Sequence, residues 1–448
     1  MFHKSKKDVL NGNIFEQIMI FTIPMMSSYL ITQLYQFVDS IVLGRYAGVE
    51  AMAAVGGSAT TIINILVNFI SGLAAGVMIL VAQNYGKGSV DGVKKAVKSG
   101  IFLAITFGGI MTIISALASK PLLIALNCPS ETIKDSLIYM YLWFAGLIPY
   151  TIYKVGEYIL NAAGDTKISI LFTIVTAITK ISLDLLLTGL LNMGVWGVAI
   201  SNFASFLICG IIVLVILHRT PNIYQFDISE FGFDLQTLKA IIKNGVPVGI
   251  QSAVFSVTNV VISAHINNFG TNAIAAFSAY NNVDNFYWSF TNALGAAMIT
   301  LVGQNYGNKN MKRVRKILID GTIIHFFATG IIGAGVYFYG RDIATIFTTD
   351  TEVLDIMERM IQLTGRVYFT YILDEMISST IKGCGDSMHS MIISLIGICA
   401  VRLIFLAIYK FTTPAEVLYC YPLSWFITSV IFLVYYLSRK KYRLTQSD

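Results

Sequence analysis

Apolar residues in this 448-residue chain are gathered into about a dozen long runs separated by short polar connections. A run of about 20 apolar residues forms a helix that can cross a hydrocarbon core of ~30 Å. Stretches such as 101–117 and 392–408 are apolar on nearly every face, whereas transmembrane strands alternate apolar and polar side chains. The pattern therefore predicts an all-α integral membrane protein.

Twelve transmembrane helices account for these runs. Their predicted limits, in residue numbers, are 18–43, 51–82, 97–118, 136–158, 168–191, 195–217, 246–265, 273–302, 317–339, 360–380, 388–410 and 417–437. The basic segment 1–13 is followed by no cleavage site of small residues, so we expect the first run to be retained as a helix.

Composition and charge agree with a bilayer protein. Hydrophobic residues make up 55% of the chain and charged residues 12%, where a soluble domain has roughly 25% charged residues. The net charge is +6, and most basic residues, with Lys154, Arg313 and Lys382 among them, fall in one alternate set of connections, which the positive-inside rule assigns to the cytoplasm. We therefore expect a multi-pass protein of the cell inner (plasma) membrane with both termini cytoplasmic and no nucleic-acid partner. The five cysteines form no metal-binding motif.

An internal repeat divides the chain. Residues 80–86 read LVAQNYG and residues 301–307 read LVGQNYG, an offset of 221 from Leu80 to Leu301. At nearly the same offset, AMAA at 51–54 matches AIAA at 273–276, and the Gly-Asp pair at 164–165 matches the pair at 385–386. Each repeat holds six spans, an even number, so both repeats have the same orientation in the membrane.

The repeat predicts two homologous six-helix bundles related by a pseudo-twofold axis along the membrane normal, with a cleft between them. We assign residues 1–217 to an N-terminal lobe and residues 241–448 to a C-terminal lobe. Residues 218–240 are polar and form the predicted cytoplasmic linker.

Ionisable residues inside the spans of the first half are few, and such residues at bilayer depth mark functional sites. Asp39 in span 1 is a candidate for exchanging a proton or a sodium ion, or else a hydrogen-bond acceptor near the outer interface. Lys180 and Asp184 in span 5 are four residues apart on one helical face and can pair, which would also give Asp184 a purely structural purpose. If both aspartates face one cavity, Tyr35 and Asn202 are expected polar neighbours. A Na⁺ ion near Asp39 is the single metal ion considered.

The second half offers candidates for the substrate cleft. Asp284 lies in a polar and aromatic patch with Tyr280 and Trp288, which either binds flat cations through stacking and cation-π contact or packs helices together. Glu375 in span 10 and Arg402 in span 11 either pair with each other or act in gating or substrate binding. The remaining cleft candidate, in span 7, is Gln251.

Enzymatic motifs are absent from the sequence. It has no GxxxxGK[ST] phosphate loop, no HExxH and no GxSxG. We therefore expect a protein that is not an enzyme, needs no cofactor and draws its energy from a gradient of H⁺ or Na⁺.

Taken in order, several motifs resemble those of the bacterial MATE transporter family over essentially the whole chain. They are Val-Asp-Ser at 38–40, the AxAA segments that open spans 2 and 8, the QNYG segments that close them, the Gly-Asp pairs before spans 5 and 11, and GVWGVA at 194–199. The resemblance implies two six-helix lobes, alternating access, and export of cationic or amphipathic small molecules in exchange for H⁺ or Na⁺. It also implies that Asp39 and Asp184 take part in coupling, and we expect a monomer in the lipid bilayer.

The sequence departs from that family pattern at three positions. Lys180 stands where relatives commonly have asparagine. Span 7 carries Gln251 but no glutamate of the kind found in sodium-coupled relatives, and Glu375 is displaced by about a turn from their acidic position, so neither role is transferred. The alternative function is a lipid-linked precursor flippase of related architecture, which would need several basic side chains for a diphosphate, where the spans offer Lys180 and Arg402. A membrane enzyme and a passive channel are more distant alternatives.

Overall fold

The computed structural model describes residues 8–439 and Tyr442, and within these residues the chain is helical without strands. The α-helices are α1 (Asp8–Asn11), α2 (Ile14–Val42), α3 (Gly48–Gly56), α4 (Ser58–Gly86), α5 (Val90–Ala125), α6 (Ile133–Ala145), α7 (Leu147–Ala163), α8 (Thr166–Asp184), α9 (Val195–Arg219), α10 (Leu235–Asn267), α11 (Thr271–Gly307), α12 (Met311–Thr345), α13 (Thr351–Val367), α14 (Ile372–Gly383), α15 (Ser387–Ser394), α16 (Val401–Ile408) and α17 (Cys420–Ser438). Each predicted span coincides with one helix or one broken helix.

Nine helical segments in the described chain are long and apolar enough to cross a bilayer, and α6 with α7, bent by 52°, makes a tenth. The two remaining predicted spans, 273–302 and 360–380, lie in α11 and in the broken pair α13–α14. Both carry polar and acidic side chains within the membrane-length stretch, which lowers their hydropathy.

Three helices continue into π-helical turns. These turns are Leu43–Ala47 after α2, Leu185–Leu190 after α8, and Leu395–Ala400 between α15 and α16. π-Helical turns inside helices are rare and frequently occur at functional sites. Two of the three follow directly on helices that carry Asp39 and Asp184.

Two compact units make up the fold. Ser27–Gly249 forms the first unit, and the rest of the described chain forms the second. The divisions fall inside α2 and α10, shortly after Pro24 and Pro247, and a proline inside a helix removes a backbone hydrogen bond and bends the chain.

The lobe limits at 217 and 241 stay a prediction. The compact units divide at other residues, after Met26 and after Gly249. Residues before the first division pack with the second unit, where Arg313 donates to the carbonyl oxygens of Val9 at 3.2 Å and Gly12 at 2.6 Å. Arg313, which the positive-inside rule assigns to a cytoplasmic connection, therefore also holds the N-terminal segment.

Small residues bring α4 and α10 close together inside the first unit. Gly72 and Gly76 on α4 face Gly245 and Gly249 on α10, a GxxxG pair on each helix. A Cβ atom at Gly76 would lie 2.6 Å from the Cα atom of Gly245. Such close backbone approach is how membrane helices gain van der Waals contact in the absence of a hydrophobic driving force.

The repeated motifs form the same local structure twice. Asn84 and Asn305 each donate from Nδ2 to the carbonyl oxygen four residues earlier, at 2.9 and 2.8 Å. The Gly-Asp pairs also agree, since Gly164 and Gly385, just after α7 and α14, are left-handed with φ of 88° and 81°.

In each repeat, a tyrosine that follows the last helix donates to the aspartate of the Gly-Asp pair, and we call this arrangement the Gly-Asp corner. Tyr224 donates its hydroxyl to Asp165, and Tyr442 donates to Asp386 at 2.9 Å. Neither tyrosine belongs to a motif that the sequence comparison of the halves had aligned. The repeat therefore extends beyond the motifs, into the segments after α9 and α17.

Candidate functional site

A lysine between two aspartates forms the most buried charged group of the first unit. The Lys180 Nζ atom lies 2.9 Å from Asp39 Oδ1 and 2.6 Å from Asp184 Oδ2. The Lys180 side chain is 1% exposed, Asp184 is fully buried, and the Asp39 side chain is 17% exposed. We call these three residues the acid–lysine cluster, and Asp39 is its accessible end.

Helix geometry explains half of the cluster. Lys180 and Asp184 are one turn apart at the end of α8, as the i, i+4 spacing predicted. Asp39 comes from the last turn of α2, and the Lys180 side chain reaches it across the gap between the helices. With all three groups ionised, the cluster carries one net negative charge.

One carboxylate oxygen of the cluster has no partner. Asp184 Oδ1 is buried and accepts no hydrogen bond from the residues that the structure describes. The nearby Ser201 hydroxyl donates instead to the carbonyl oxygen of Gly197 at 2.7 Å. Because an unsatisfied buried acceptor is costly, Asp184 Oδ1 is a favourable place for an added proton.

The predicted polar neighbours take different places. Tyr35 lies one turn before Asp39 on α2, whereas Asn202 on α9 donates to the carbonyl oxygen of Val198 at 3.2 Å and to the Tyr139 hydroxyl at 3.5 Å. The structure shows no hydrogen bond from Asn202 to either carboxylate of the cluster among the described residues. Tyr139 on α6 lies near both carboxylates.

Sequence reasoning missed Tyr139, because an uncharged tyrosine in a membrane run looks like any other aromatic residue. It also misplaced Lys154, which was assigned to the basic cytoplasmic connections. The structure places Lys154 on α7, paired with Glu157 at 2.9 Å, and both groups lie near Tyr35. A lysine has a long aliphatic stem that can be buried, so its position near a span end does not fix it in water.

In the second unit, Asp284 is held by aromatic hydrogen-bond donors. Trp288 Nε1 donates to Asp284 Oδ2 at 2.6 Å, and the Tyr368 hydroxyl donates to Oδ1. Trp288 packs edge-on against Tyr371 with a ring distance of 5.0 Å, and Tyr280 is buried. Both carboxylate oxygens of Asp284 are thus engaged within the unit, and Asp284 and Trp288 keep part of their surfaces exposed.

Of the two alternatives for Glu375 and Arg402, the direct pair does not form. Glu375 accepts from the Tyr371 hydroxyl at 2.9 Å and from the Ser379 hydroxyl at 2.8 Å. Arg402 donates from Nε to Ser424 at 3.0 Å and lies over the ring of Tyr421, 4.6 Å from its centre. The guanidinium group is satisfied by α17 through a hydroxyl and an aromatic face, an environment that suits its planar, weakly hydrated charge.

Gln251 forms a separate contact, donating from Nε2 to the Ser394 hydroxyl at 3.0 Å. Two further charged residues in the second unit are buried. Asp374 has an unpartnered Oδ2 atom within the described chain, and Lys382, which the sequence placed in a cytoplasmic connection, is 8% exposed on α14. The six predicted cleft residues therefore engage different partners and do not form one hydrogen-bonded group.

The bilayer-length helices of the two units are those of a polytopic membrane protein. In such proteins, ionisable groups buried among the helices mark substrate or ion pathways. The sequence model of the MatE family matches residues 24–186 and again residues 247–408. The chain therefore belongs to the MatE family. The matches begin 223 residues apart, from residue 24 to residue 247, which agrees with the repeat offset of 221. The resemblance drawn from the motifs is confirmed.

Known relatives match over nearly the whole chain. The chain is 23% identical over 434 residues to the "Probable multidrug resistance protein YoeA" of Bacillus subtilis, covering 95% of this chain and 94% of that protein. It is 27% identical over 387 residues to the "Probable multidrug resistance protein NorM" of Thermotoga maritima, covering 85% and 82%.

A solved structure gives the same result for the fold. It is described as the outward-facing conformation of a multidrug resistance MATE family transporter of the MOP superfamily, and it matches with a TM-score of 0.91 at 19% identity. The match covers 98% of this chain and 99% of that chain. The predicted all-α membrane fold of twelve helices is confirmed.

Proposed function

We propose that the chain is a secondary active antiporter that exports cationic or amphipathic drugs or metabolites in exchange for H⁺ or Na⁺ by alternating access. Membership of the MatE family and the names of the relatives support export of drugs. The acid–lysine cluster is the observation that supports coupling to an ion. We further propose the cell inner membrane as its location, cytoplasmic termini and a monomeric state.

The cluster suits coupling because its three charges are unequally accessible. A proton or a cation arriving from solution meets Asp39 first, since Lys180 and Asp184 are sealed. Neutralising Asp39 removes one of the two carboxylates that hold the Lys180 ammonium group, and so loosens the link between α2 and α8. An ion that binds one conformation of this link better than another shifts the population between them, which is the requirement for driving a transport cycle.

Substrate recognition is proposed at the accessible end. Asp39 offers a negative charge to a cationic compound, and Tyr35 one turn earlier offers an aromatic face. A substrate cation and a coupling ion would then compete for one carboxylate. Competition of this kind makes release of one depend on binding of the other, which is the behaviour of an exchanger.

The flippase alternative receives less support. A diphosphate headgroup needs cationic side chains that are available to bind it. In the structure, Lys180 is held by two aspartates, Lys154 by Glu157, and Arg402 by Ser424 and aromatic rings. These cations already have partners within their own units.

Efflux from vesicles tests the proposal. Purified protein is placed in lipid vesicles loaded with a fluorescent cationic dye, and a pH gradient or a sodium gradient is applied separately. We expect dye movement that depends on one gradient, is lost in Asp39→Asn, and persists in Glu16→Gln, a matched loss of an exposed carboxylate on the same helix. Dye movement that ignores both gradients, or that Asp39→Asn leaves unchanged, would contradict it.

A further inference from the structure

We propose that the Lys180 ammonium group is a built-in counter-cation for Asp39 and Asp184, so that this carboxylate pair binds no alkali metal ion in the native chain and H⁺ is the coupling ion. This inference rests on the proposed antiport function and specifies its ion. It concerns the buried cation of the acid–lysine cluster.

The geometry places one positive charge in contact with both carboxylates. The Nζ atom lies 2.9 Å from Asp39 Oδ1 and 2.6 Å from Asp184 Oδ2. A sodium ion that neutralised the same two carboxylates would have to stand in the position of this ammonium group. The lysine is attached to α8 and needs no capture from solution, which gives it the advantage of an intramolecular ligand.

Burial prevents a metal ion from replacing the Lys180 ammonium group. Lys180 is 1% exposed and Asp184 is fully buried. A metal ion that entered between the carboxylates would displace the ammonium group into surroundings without a counter-charge, and a buried unpaired charge is strongly unfavourable. Adding the metal beside the lysine would instead bring two cations against each other.

The acid–lysine cluster can accept a proton at Asp184 but offers no coordination site to a metal ion. Asp184 Oδ1 has no partner in the described chain and needs a single donor. Hard metal ions require several oxygen ligands around one position, and the position shared by the two carboxylates is taken by the Lys180 Nζ atom.

The titratable groups that face the cluster or one another around it come from four helices. They are Tyr35 and Asp39 on α2, Tyr139 on α6, Tyr150, Lys154 and Glu157 on α7, and Lys180 and Asp184 on α8. Of these, the ion pair of Lys154 and Glu157 is complete in itself, so the cluster keeps the one uncompensated negative charge.

Removing the lysine should create a metal site. Lys180→Asn takes away the tethered charge and supplies an amide oxygen between the two carboxylates. We expect the purified variant to be stabilised against heat when NaCl replaces choline chloride at constant ionic strength, with a saturable rise in unfolding temperature. The native chain and Lys167→Asn, a matched change at an exposed lysine on the same helix, should show no such rise.

The site assignment has its own control. Combining Lys180→Asn with Asp184→Asn should abolish the sodium response, because the new site loses a carboxylate. No response of Lys180→Asn to Li⁺, Na⁺ or K⁺, or an equal saturable response of the native chain, would overturn the proposal.

If Lys180→Asn fails to fold, ion binding by the native protein still tests the proposal. Binding of radioactive ²²Na⁺ by the native chain that disappears in Asp39→Asn would overturn the proposal, and absence of such binding supports it. Heat stability and ion binding are measured without transport. Native export driven by a sodium gradient would leave the antiport function standing and refute only this inference, whereas loss of all coupled export would refute the function and leave the cation result standing.

Discussion

Lys180 reaches Asp39 across 141 residues of sequence, with its Nζ atom 2.9 Å from the Asp39 Oδ1 atom. The contact joins α8 to α2 and makes a single ammonium group serve two carboxylates. Any change at Lys180 therefore alters the electrostatics of both aspartates, whereas a change at Asp39 leaves the lysine still paired with Asp184.

Lys180→Met should destabilise the protein more than Asp39→Asn. Removing the ammonium group leaves Asp184 buried without a counter-charge, and breaking a buried pair in this way costs about 3–5 kcal/mol. Asp39→Asn removes a carboxylate that is partly exposed and leaves one ion pair intact. Thermal unfolding in detergent, at low sodium concentration, compares the two variants. Equal stability of Lys180→Met and the native protein would show that the cluster contributes nothing to folding.

Gly76→Ala should destabilise the first unit. Its new Cβ atom would lie 2.6 Å from the backbone of Gly245, so α4 and α10 would have to separate. Overpacking of this kind costs about 1–3 kcal/mol. Gly56→Ala is the matched control, since a Cβ atom at Gly56 meets nothing within 4 Å. Unfolding temperatures of the two variants decide the point, and an equal effect of both would contradict the close crossing.

Glu375 and Arg402 should behave independently. Each has its own partners, so a double-mutant cycle of Glu375→Gln and Arg402→Met should give a coupling energy below about 0.5 kcal/mol. Unfolding free energies of the two single variants and the double variant supply the cycle. A coupling of several kcal/mol would indicate the direct ion pair that the sequence had suggested.

Tyr224 and Tyr442 should make equivalent contributions in the two halves. Tyr224→Phe and Tyr442→Phe each remove a hydrogen bond to a carboxylate, at an expected cost of about 1.5–3 kcal/mol. The free energies of unfolding of both variants and of the native chain, from denaturant titrations, measure this cost. A loss at one position alone would show that the two corners are not equivalent.

The same tyrosines predict an alkaline limit to stability. Burial, together with the hydrogen bond to Asp165, raises the pKa of Tyr224 above its usual value, and burial raises the pKa of Tyr442 in the same way. Stability from a group whose pKa rises on folding is complete below the unfolded value of about 10 and is lost as pH rises through the folded value. Unfolding temperatures should therefore fall above about pH 10, and less steeply in Tyr224→Phe. An unchanged slope would refute this cause.

The features that could be predicted from the sequence are those that depend on short stretches of it. Run length and hydropathy locate the spans, and the identical heptapeptides locate the repeat, because each is contained within a short stretch of sequence. Spacing alone also gives the pairing of Lys180 with Asp184, since residues four apart share a helical face.

Contacts between helices that are distant in the sequence could not be predicted from short stretches of sequence. Nothing near Asp39 in the sequence indicates Lys180 as its partner, and nothing distinguishes Tyr139 from other aromatic residues of its span. The direct pair of Glu375 and Arg402, one of the two alternatives, does not form, because charge alone did not reveal the hydroxyl and the aromatic face that α17 offers to Arg402. Lys154 and Lys382 were misassigned because a basic residue near a span end was taken to lie in water.

Simultaneous recording of dye efflux and internal pH tests the central claim most directly. Native protein in sodium-free vesicles, with choline as the salt, is given an inwardly directed proton gradient and a cationic dye inside. Dye export accompanied by proton entry, lost together in Asp39→Asn and retained in Glu16→Gln, is the predicted result. Dye export without proton entry, or export that appears only when sodium is added, would contradict proton-coupled exchange at the acid–lysine cluster.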